Sequence, residues 1–226
     1  TRRSSDLSEL KAWGRIAQEL GVWLLMGSGA IANGEGKVFN RSFFFNPDGK
    51  IVARYDKINL FDVTLGGSET YRESETVEGG ANAVLVEGPQ NAKIGLTICY
   101  DVRFAPLYAG LARAGAEIIT VPAAFTVPTG QAHWEILLRA RAIETGAFVI
   151  APAQGGKHED GRSTWGHSMI IDPWGKQYQL DPSGQNNGGR KPDIFTTTPR
   201  GVPRGATSTC GSARYVGRSS VGPTPG

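Results

Sequence analysis

The sequence has little cysteine and no apolar run long enough to cross a bilayer. Its two cysteines, Cys99 and Cys210, are far apart and lie in very different surroundings. This scarcity excludes a disulfide framework and favours a reducing, cytoplasmic compartment. The apolar runs fall far short of the ~20 residues of a membrane helix, and no signal-peptide pattern opens the chain, so we expect no membrane association.

Histidine is also scarce, with three residues in a chain of 226. No His or Cys cluster has the spacing of metal ligands, and Gly155-Gly156 lacks the context of a phosphate-binding loop. We therefore expect neither a bound metal nor a cofactor.

The net charge of +3 is unevenly distributed along the chain. Residues 181–226 contain six Lys or Arg against two Asp, a net charge of +4, which leaves −1 for the preceding 180 residues. A nucleic-acid-binding protein carries its basic surface on the folded body, so we expect no nucleic-acid partner. Because the same segment is rich in Gly, Pro, Ser and Arg and lacks hydrophobic periodicity, we expect a disordered tail at 181–226 after a single domain at 1–180. Cys210 lies in this tail and is given no role.

The body alternates strands and helices, with hairpins at intervals, which predicts a mixed α/β sheet with helices packed on it. Gly21 ends the first predicted helix, and a long polar loop is predicted from Asp56 to Gly80. Later helices are predicted at Ala105–Arg113 and Ala132–Glu144. The predicted strands are Val22–Met26, Val38–Phe45, Lys50–Tyr55, Ala83–Val86, Lys93–Ile98, Glu117–Val121, Ala147–Pro152, His167–Ile171 and Lys176–Leu180.

The most informative position is Cys99, directly after the apolar segment Lys93–Ile98. The C-terminal end of a buried strand is where an α/β sheet presents reactive groups, so the thiol is a candidate nucleophile. The charged residues that follow, Asp101 and Arg103, are placed to tune or orient chemistry there. The alternative is an inert cysteine, since free Cys is among the most buried residue types.

Five segments, in order along residues 7–180, resemble the nitrilase superfamily, the carbon–nitrogen hydrolases. The segment 97–104, Thr-Ile-Cys-Tyr-Asp-Val-Arg-Phe, resembles the nucleophile segment of the family. The segment 55–62, Tyr-Asp-Lys-Ile-Asn-Leu-Phe-Asp, resembles its lysine segment, and 71–74, Tyr-Arg-Glu-Ser, resembles its second-glutamate segment. The segments 132–144 and 166–175 are similar to the Nit branch, which holds deaminated glutathione amidases and ω-amidases.

The resemblance implies a nitrilase-like α-β-β-α sandwich, incomplete at the N-terminus, that dimerises through its helical faces. It implies amide hydrolysis through a thioester, in which Cys99 attacks the amide carbon and Lys57 and the backbone N–H of Tyr100 stabilise the oxyanion. Glu73 matches the second glutamate, which positions substrate and governs protonation at the nucleophile. The principal base of the family is another glutamate, expected upstream of residue 1, so the 226-residue chain is expected to show little activity.

Tyr100, Arg103, Phe125 and His133 are the residues expected to form the oxyanion site or position the substrate. His133 stands at the start of a predicted amphipathic helix, as an orienting or packing group. The sequence lacks the Gly-x-Cys-x-Gly elbow of class I glutamine amidotransferases, so no Cys–His pair is predicted.

The implied substrate is deaminated glutathione or a similar small, carboxylate-bearing amide, with release of ammonia. Two alternatives stay open: an ω-amidase acting on 2-oxo-dicarboxylate monoamides, and a non-catalytic binding or scaffold protein with the same fold. By position alone, Lys57 could be a solvated loop lysine and Glu73 a surface residue. Asn59 stands where the family often has His, which we expect to alter only substrate preference or local packing.

Overall fold

The computed structural model describes residues 2–64, 70–159 and 161–179. Leu180 and the predicted tail at 181–226, with Cys210, lie outside the described residues. The described part of the chain forms the helices α1 (Arg2–Leu20), α2 (Ala105–Arg113) and α3 (Val127–Thr145). Its strands are β1 (Leu24–Ala32), β2 (Val38–Phe45), β3 (Ile51–Asp56), β4 (Asp62–Thr64), β5 (Thr70–Arg72), β6 (Val77–Glu78), β7 (Val84–Glu87), β8 (Lys93–Leu96), β9 (Ile118–Thr120), β10 (Phe148–Ala151), β11 (Gly155–Lys157), β12 (Ser163–Trp165), β13 (Met169–Ile171) and β14 (Gln177–Gln179).

The first sheet has the antiparallel order β1-β2-β3, and β6 pairs in parallel with the start of β2. Helix α1 covers its outer face, where Ala17 packs with Phe43 and Phe45. The helix approaches the β2–β3 turn closely, since a Cβ atom on Gly14 would lie 2.7 Å from the Gly49 carbonyl oxygen. Burial of these apolar side chains holds the helix on the sheet.

The second sheet has six strands in the order β14-β13-β10-β9-β8-β7. Strands β8, β9 and β10 at its centre run parallel, so their carboxyl ends meet at one edge. Helices α2 and α3 cover its outer face. The buried side chains of this cluster include Tyr108, Leu111, Ile119, Trp134, Leu138 and Val149.

The inner faces of the two sheets pack against each other. Phe44 and Tyr55 of the first sheet contact the Ile94, Leu96 and Ile98 cluster of the second. The order of layers is therefore helix, sheet, sheet, helix, which confirms the predicted α-β-β-α sandwich.

The structure differs from the predicted elements in several places. Strand β1 continues to Ala32 instead of ending at Met26. The segment Asp56–Gly80 is not a plain loop, because it contains the β4–β5 hairpin, a 3₁₀ helix at Glu73–Glu75 and β6. Helix α3 begins five residues before the predicted Ala132, with Pro128 in its first turn. Proline lacks a backbone N–H, but it is tolerated there because the N–H groups of the first turn have no acceptor within the helix. The β11–β12 hairpin was not predicted.

None of the described helices is long and apolar enough to cross a membrane.

Candidate active site

A cavity of about 740 Å³ opens where the parallel strands β8, β9 and β10 end. Cys99, Lys57 and Glu73 all line it, although they come from three separate segments of the chain. Strand β1 contributes Leu25, Met26, Gly27 and Ser28 to the opposite wall. The structure thus brings together the three side chains that the sequence predicts as catalytic.

Cys99 begins a 3₁₀ helix, Cys99–Arg103, that follows β8. Its φ angle is 50°, in the left-handed region that residues other than glycine rarely adopt. The Cys99 N–H donates to the carbonyl oxygen of Pro122 at 2.9 Å, which ties this turn to the end of β9. Strained backbone of this kind persists where surrounding structure enforces it, and it clusters at functional sites.

Lys57 and Glu73 form a buried ion pair at the cavity wall. The Lys57 side chain is 3% exposed, and its Nζ donates to Glu73 Oε2 at 2.5 Å. The same oxygen accepts the Phe61 N–H at 2.6 Å, and Asn40 donates to Glu73 Oε1 at 3.2 Å. Lys57 is therefore not a solvated loop lysine. Breaking such a pair leaves an unpaired buried charge, at a cost of about 3–5 kcal/mol.

The environment of the Cys99 thiol works mainly against its ionisation. Burial raises the pKa of the thiol above its ordinary value, while the Lys57 ammonium and a hydrogen bond from the Ala124 backbone N–H lower it. The Glu73 and Asp101 carboxylates raise it further. The net direction is upward, so the thiol is protonated at neutral pH and needs a proton acceptor before it can act as a nucleophile.

A fully buried carboxylate, Asp101, lies beneath the reactive side chains. Asp101 Oδ2 accepts the Tyr55 hydroxyl at 2.7 Å and the Ile98 N–H at 2.9 Å. Asp101 Oδ1 accepts the Asn59 N–H at 2.9 Å and the Asn59 side-chain amide at 2.8 Å. Asn59, the departure from the family pattern, therefore supplies two of the four donors.

Three of these bonds join segments from different sheets, and the fourth, from the Ile98 N–H, closes the turn that carries Asp101 itself. Tyr55, the last but one residue of β3, and Asn59, after the strand, flank Lys57, whereas Ile98 and Asp101 flank Cys99 after β8. Clamping the flanking residues fixes both reactive side chains in the same cavity. Asp101 is thus a positioning residue that the sequence flagged only by its charge.

The four predicted positioning residues divide into two groups. Tyr100 and Phe125 line the cavity. Tyr100 lies in the first turn of the 3₁₀ helix, where a backbone N–H has no acceptor within the helix. Arg103 and His133 do not line the cavity. The guanidinium of Arg103 lies over the Tyr100 and Phe125 rings, and its Nη2 is 3.2 Å from His133 Nδ1.

Arg103 therefore contacts the two cavity-lining rings of Tyr100 and Phe125, and His133 contacts Arg103. His133 lies in the second turn of α3 and is exposed, rather than at the helix start as predicted. Two cavity residues that the sequence assigned no role, Arg72 and Arg162, add positive charge to the lining. Among the described residues, no three His, Cys, Asp or Glu side chains converge to hold a metal ion.

The pH dependence of alkylation tests this electrostatic arrangement. In the Cys210→Ser chain, Cys99 is the one remaining thiol. We expect the rate at which iodoacetamide labels it to reach half of its maximum at a higher pH than the rate for free cysteine does. Lys57→Met removes the cation that lowers the pKa, so its midpoint shifts to still higher pH. The matched control is Lys93→Met, at the exposed start of β8. Peptide mass spectrometry across pH gives the rates. A midpoint that Lys57→Met leaves unmoved would contradict the arrangement.

Comparison with known proteins adds independent support. The family model described as carbon-nitrogen hydrolase matches residues 4–183. The deaminated glutathione amidase of Yersinia enterocolitica is 46% identical over 170 residues, which cover 74% of this chain and 59% of that protein. The chain spans about half to three-fifths of the length of the curated relatives that it matches.

Solved structures show the same fold. The crystal structure of the C. elegans NitFhit protein has a TM-score of 0.73 and 37% identity, covering 79% of this chain and 44% of that one. Saccharomyces cerevisiae Nit3, a member of branch 10 of the nitrilase superfamily, has a TM-score of 0.68 and 29% identity, covering 76% of this chain and 60% of that one. The family match spans most of the chain, and both structures come from the nitrilase superfamily's Nit proteins. This chain therefore belongs to the carbon–nitrogen hydrolase family.

Proposed function

We propose that this chain carries the nucleophile, the oxyanion site and the substrate cavity of an amidase that cleaves a small, carboxylate-bearing amide such as deaminated glutathione. The observation that carries the proposal is the convergence of Cys99, Lys57 and Glu73 on one cavity. The relatives named deaminated glutathione amidase support the substrate class.

The proposed reaction proceeds through a thioester at Cys99. The sulfur forms a bond to the amide carbon, the oxygen becomes negative, and the bond to nitrogen then breaks. The thiol proton passes to the departing nitrogen, and water later releases the acid from the thioester. Lys57 and the Tyr100 N–H are the groups that stabilise the oxyanion, because both lie at the cavity beside the sulfur.

The described residues of the cavity do not supply a free acceptor for the proton of the Cys99 thiol. Glu73 is the one carboxylate among the described residues of the cavity lining, and three donors already engage it. We therefore assign Glu73 to holding Lys57. The base belongs to a further carboxylate, a glutamate by the family resemblance, which the described cavity lining does not supply.

An activated ester at alkaline pH tests the nucleophile without needing that base, because hydroxide removes the thiol proton and p-nitrophenolate leaves without one. Mixing the chain with mono-p-nitrophenyl glutarate should give a burst of one p-nitrophenolate per chain and a glutaryl adduct in the intact mass. Cys99→Ala should abolish both. Lys57→Ala should slow the burst by about 10²–10³, as loss of other oxyanion donors does.

Cys210→Ser is the matched control and should keep the full burst. A burst that survives in Cys99→Ala would overturn the proposed nucleophile. A chain that binds the ester without any burst would favour the non-catalytic binding protein instead.

We also propose a reducing, cytoplasmic location. The support is chemical: Cys99 is a free thiol at a cavity, and oxidation of a nucleophilic thiol would abolish its reactivity. Titration of the chain with hydrogen peroxide, followed by the burst measurement, tests this requirement. A burst unaffected by oxidation of Cys99 would contradict it.

The outer face of α3 supports a homodimer. Ile136 and Ile143 are 69% and 56% exposed on this helix, and Trp174 is 89% exposed. Arg139 of α3 donates to the Gly175 carbonyl, so the turn that carries Trp174 adjoins the same face. Exposed apolar patches of this kind mark association surfaces, and a second copy is the occupant that the family resemblance implies.

Sedimentation velocity at micromolar concentration should find a dimer, and Ile136→Arg should be monomeric. Leu20→Arg, an equally exposed position on α1, is the control and should stay dimeric. A monomeric parent chain, or an Ile136→Arg chain that still dimerises, would contradict this interface.

A further inference from the structure

A second groove lies on the outer face of the first sheet, between helix α1 and the β2–β3 hairpin. It has a volume of about 580 Å³ and shares no lining residue with the cavity at Cys99. The helix and the hairpin turn touch through backbone at its floor, because neither Gly14 nor Gly49 has room for a Cβ atom against the carbonyl oxygen of the other. The floor of the groove is therefore set by backbone atoms.

The lining of this groove carries charge of one sign. Among the described residues that line it, four are cations and none is an anion. These groove cations are Lys11 and Arg15 of α1, Lys50 of the hairpin turn and Arg54 of β3. All four side chains are exposed, so their charges are accessible to a molecule in solution.

Nearby carboxylates do not neutralise the groove cations. Within the described part of the chain, none of the four forms an ion pair within 4 Å. Asp56 lies on the same face of β3 as Arg54, but Arg41 engages it through two hydrogen bonds of 2.5 and 2.8 Å. Asp48 in the hairpin turn instead accepts the Asn46 side-chain amide at 3.3 Å. The positive charge of the groove is therefore left to an external anion.

The spacing of the groove cations is repulsive within each element. Lys11 and Arg15 are four residues apart on one face of α1, where like charges destabilise a helix. Glu19 lies one turn beyond Arg15 and forms no ion pair with it. Lys50 and Arg54 are separated by up to about 13 Å of extended chain. A groove lined by one sign of charge concentrates counter-ions, so a bound anion relieves this repulsion.

The arrangement favours an anion whose charges are spread along a short chain. A single phosphate or carboxylate is too small to reach cations on both elements. A guanidinium fork binds phosphate with two parallel hydrogen bonds, and a lysine ammonium binds it as a point charge. Nucleic acid is disfavoured, because the 180 residues before the basic segment at 181–226 carry a net charge of −1.

We propose that this groove binds a condensed phosphate chain, either free or as the polyphosphate of a nucleotide. Arg15 on the helix and Arg54 on the sheet bind the chain from two sides, and Lys11 and Lys50 add charge beside them. The groove is separate from the cavity at Cys99, so this binding does not depend on the amidase reaction.

Isothermal titration calorimetry of the 226-residue chain at low ionic strength tests the proposal with four probes. Tripolyphosphate and ATP should bind, whereas inorganic phosphate and adenosine should give no measurable heat. ATP binding more tightly than tripolyphosphate would identify a nucleotide as the source, with its nucleoside against the partly exposed Leu10 and Ile51. Equal affinities would identify the phosphate chain alone.

Variants of the groove cations locate the binding. Arg15→Gln and Arg54→Gln should each lower the affinity for tripolyphosphate about 5- to 10-fold, because each removes a charge-assisted hydrogen-bonding group. The double variant should show no measurable binding. Because both side chains are exposed, the Tm of each variant without ligand should equal that of the parent chain. Arg113→Gln, at the exposed end of α2 and outside the groove, is the control and should bind as the parent does.

Four results would overturn the proposal. Absence of binding by both tripolyphosphate and ATP would remove the site, and binding that the double variant retains would place the anion elsewhere, such as on the basic segment 181–226. An equal loss in Arg113→Gln would reduce the effect to net charge. A hexaglutamate peptide that binds more tightly than tripolyphosphate would assign the groove to an acidic protein segment instead.

Discussion

One buried carboxylate holds the reactive part of this molecule together. Asp101 accepts four hydrogen bonds: three come from Tyr55 and Asn59, which flank Lys57, and one comes from Ile98, which precedes Cys99. A carboxylate has no donor of its own, so it suits a site where every approaching group is an N–H or O–H. Because the two turns belong to different sheets, the relative position of Lys57 and Cys99 depends on this one side chain more than on either sheet.

A second set of contacts supports the turn that carries Cys99. The buried Arg141 of α3 donates to the Val102 carbonyl at 2.8 Å and lies over the Tyr108 ring. The Tyr108 hydroxyl in turn forms a 2.8 Å hydrogen bond with the hydroxyl of Thr97, which directly follows β8 and lies two residues before Cys99. These contacts hold the 3₁₀ helix against the second sheet, which allows Cys99 to keep its left-handed backbone. The strained backbone of Cys99 is thus supported by residues that do not line the cavity.

Local signals in the sequence predicted strands and helices in a mixed α/β arrangement, whereas the four layers and the three candidate catalytic side chains came from the resemblance to the family. Periodicity marks buried strands, and the segments around Cys99, Lys57 and Glu73 carry family-specific patterns. The parts that it missed depend on contacts between distant segments. Nothing local shows that the Ala124 N–H reaches the Cys99 sulfur, or that Arg162 turns toward the cavity. Short hairpins such as β4–β5 escape periodicity, since three residues hold too few alternations to read.

The most direct test of the clamp is a double-mutant cycle on the pKa of Cys99, measured by alkylation in the Cys210→Ser chain. Asp101→Asn places an NH₂ group against either the Ile98 or the Asn59 backbone N–H, so the clamp should open and Lys57 should move away from the sulfur. Lys57→Met should then shift the Cys99 pKa in the parent chain and have almost no effect in the Asp101→Asn chain, with circular dichroism confirming that both are folded. If Lys57→Met shifts the pKa equally in both chains, Asp101 does not position Lys57 and the account is contradicted.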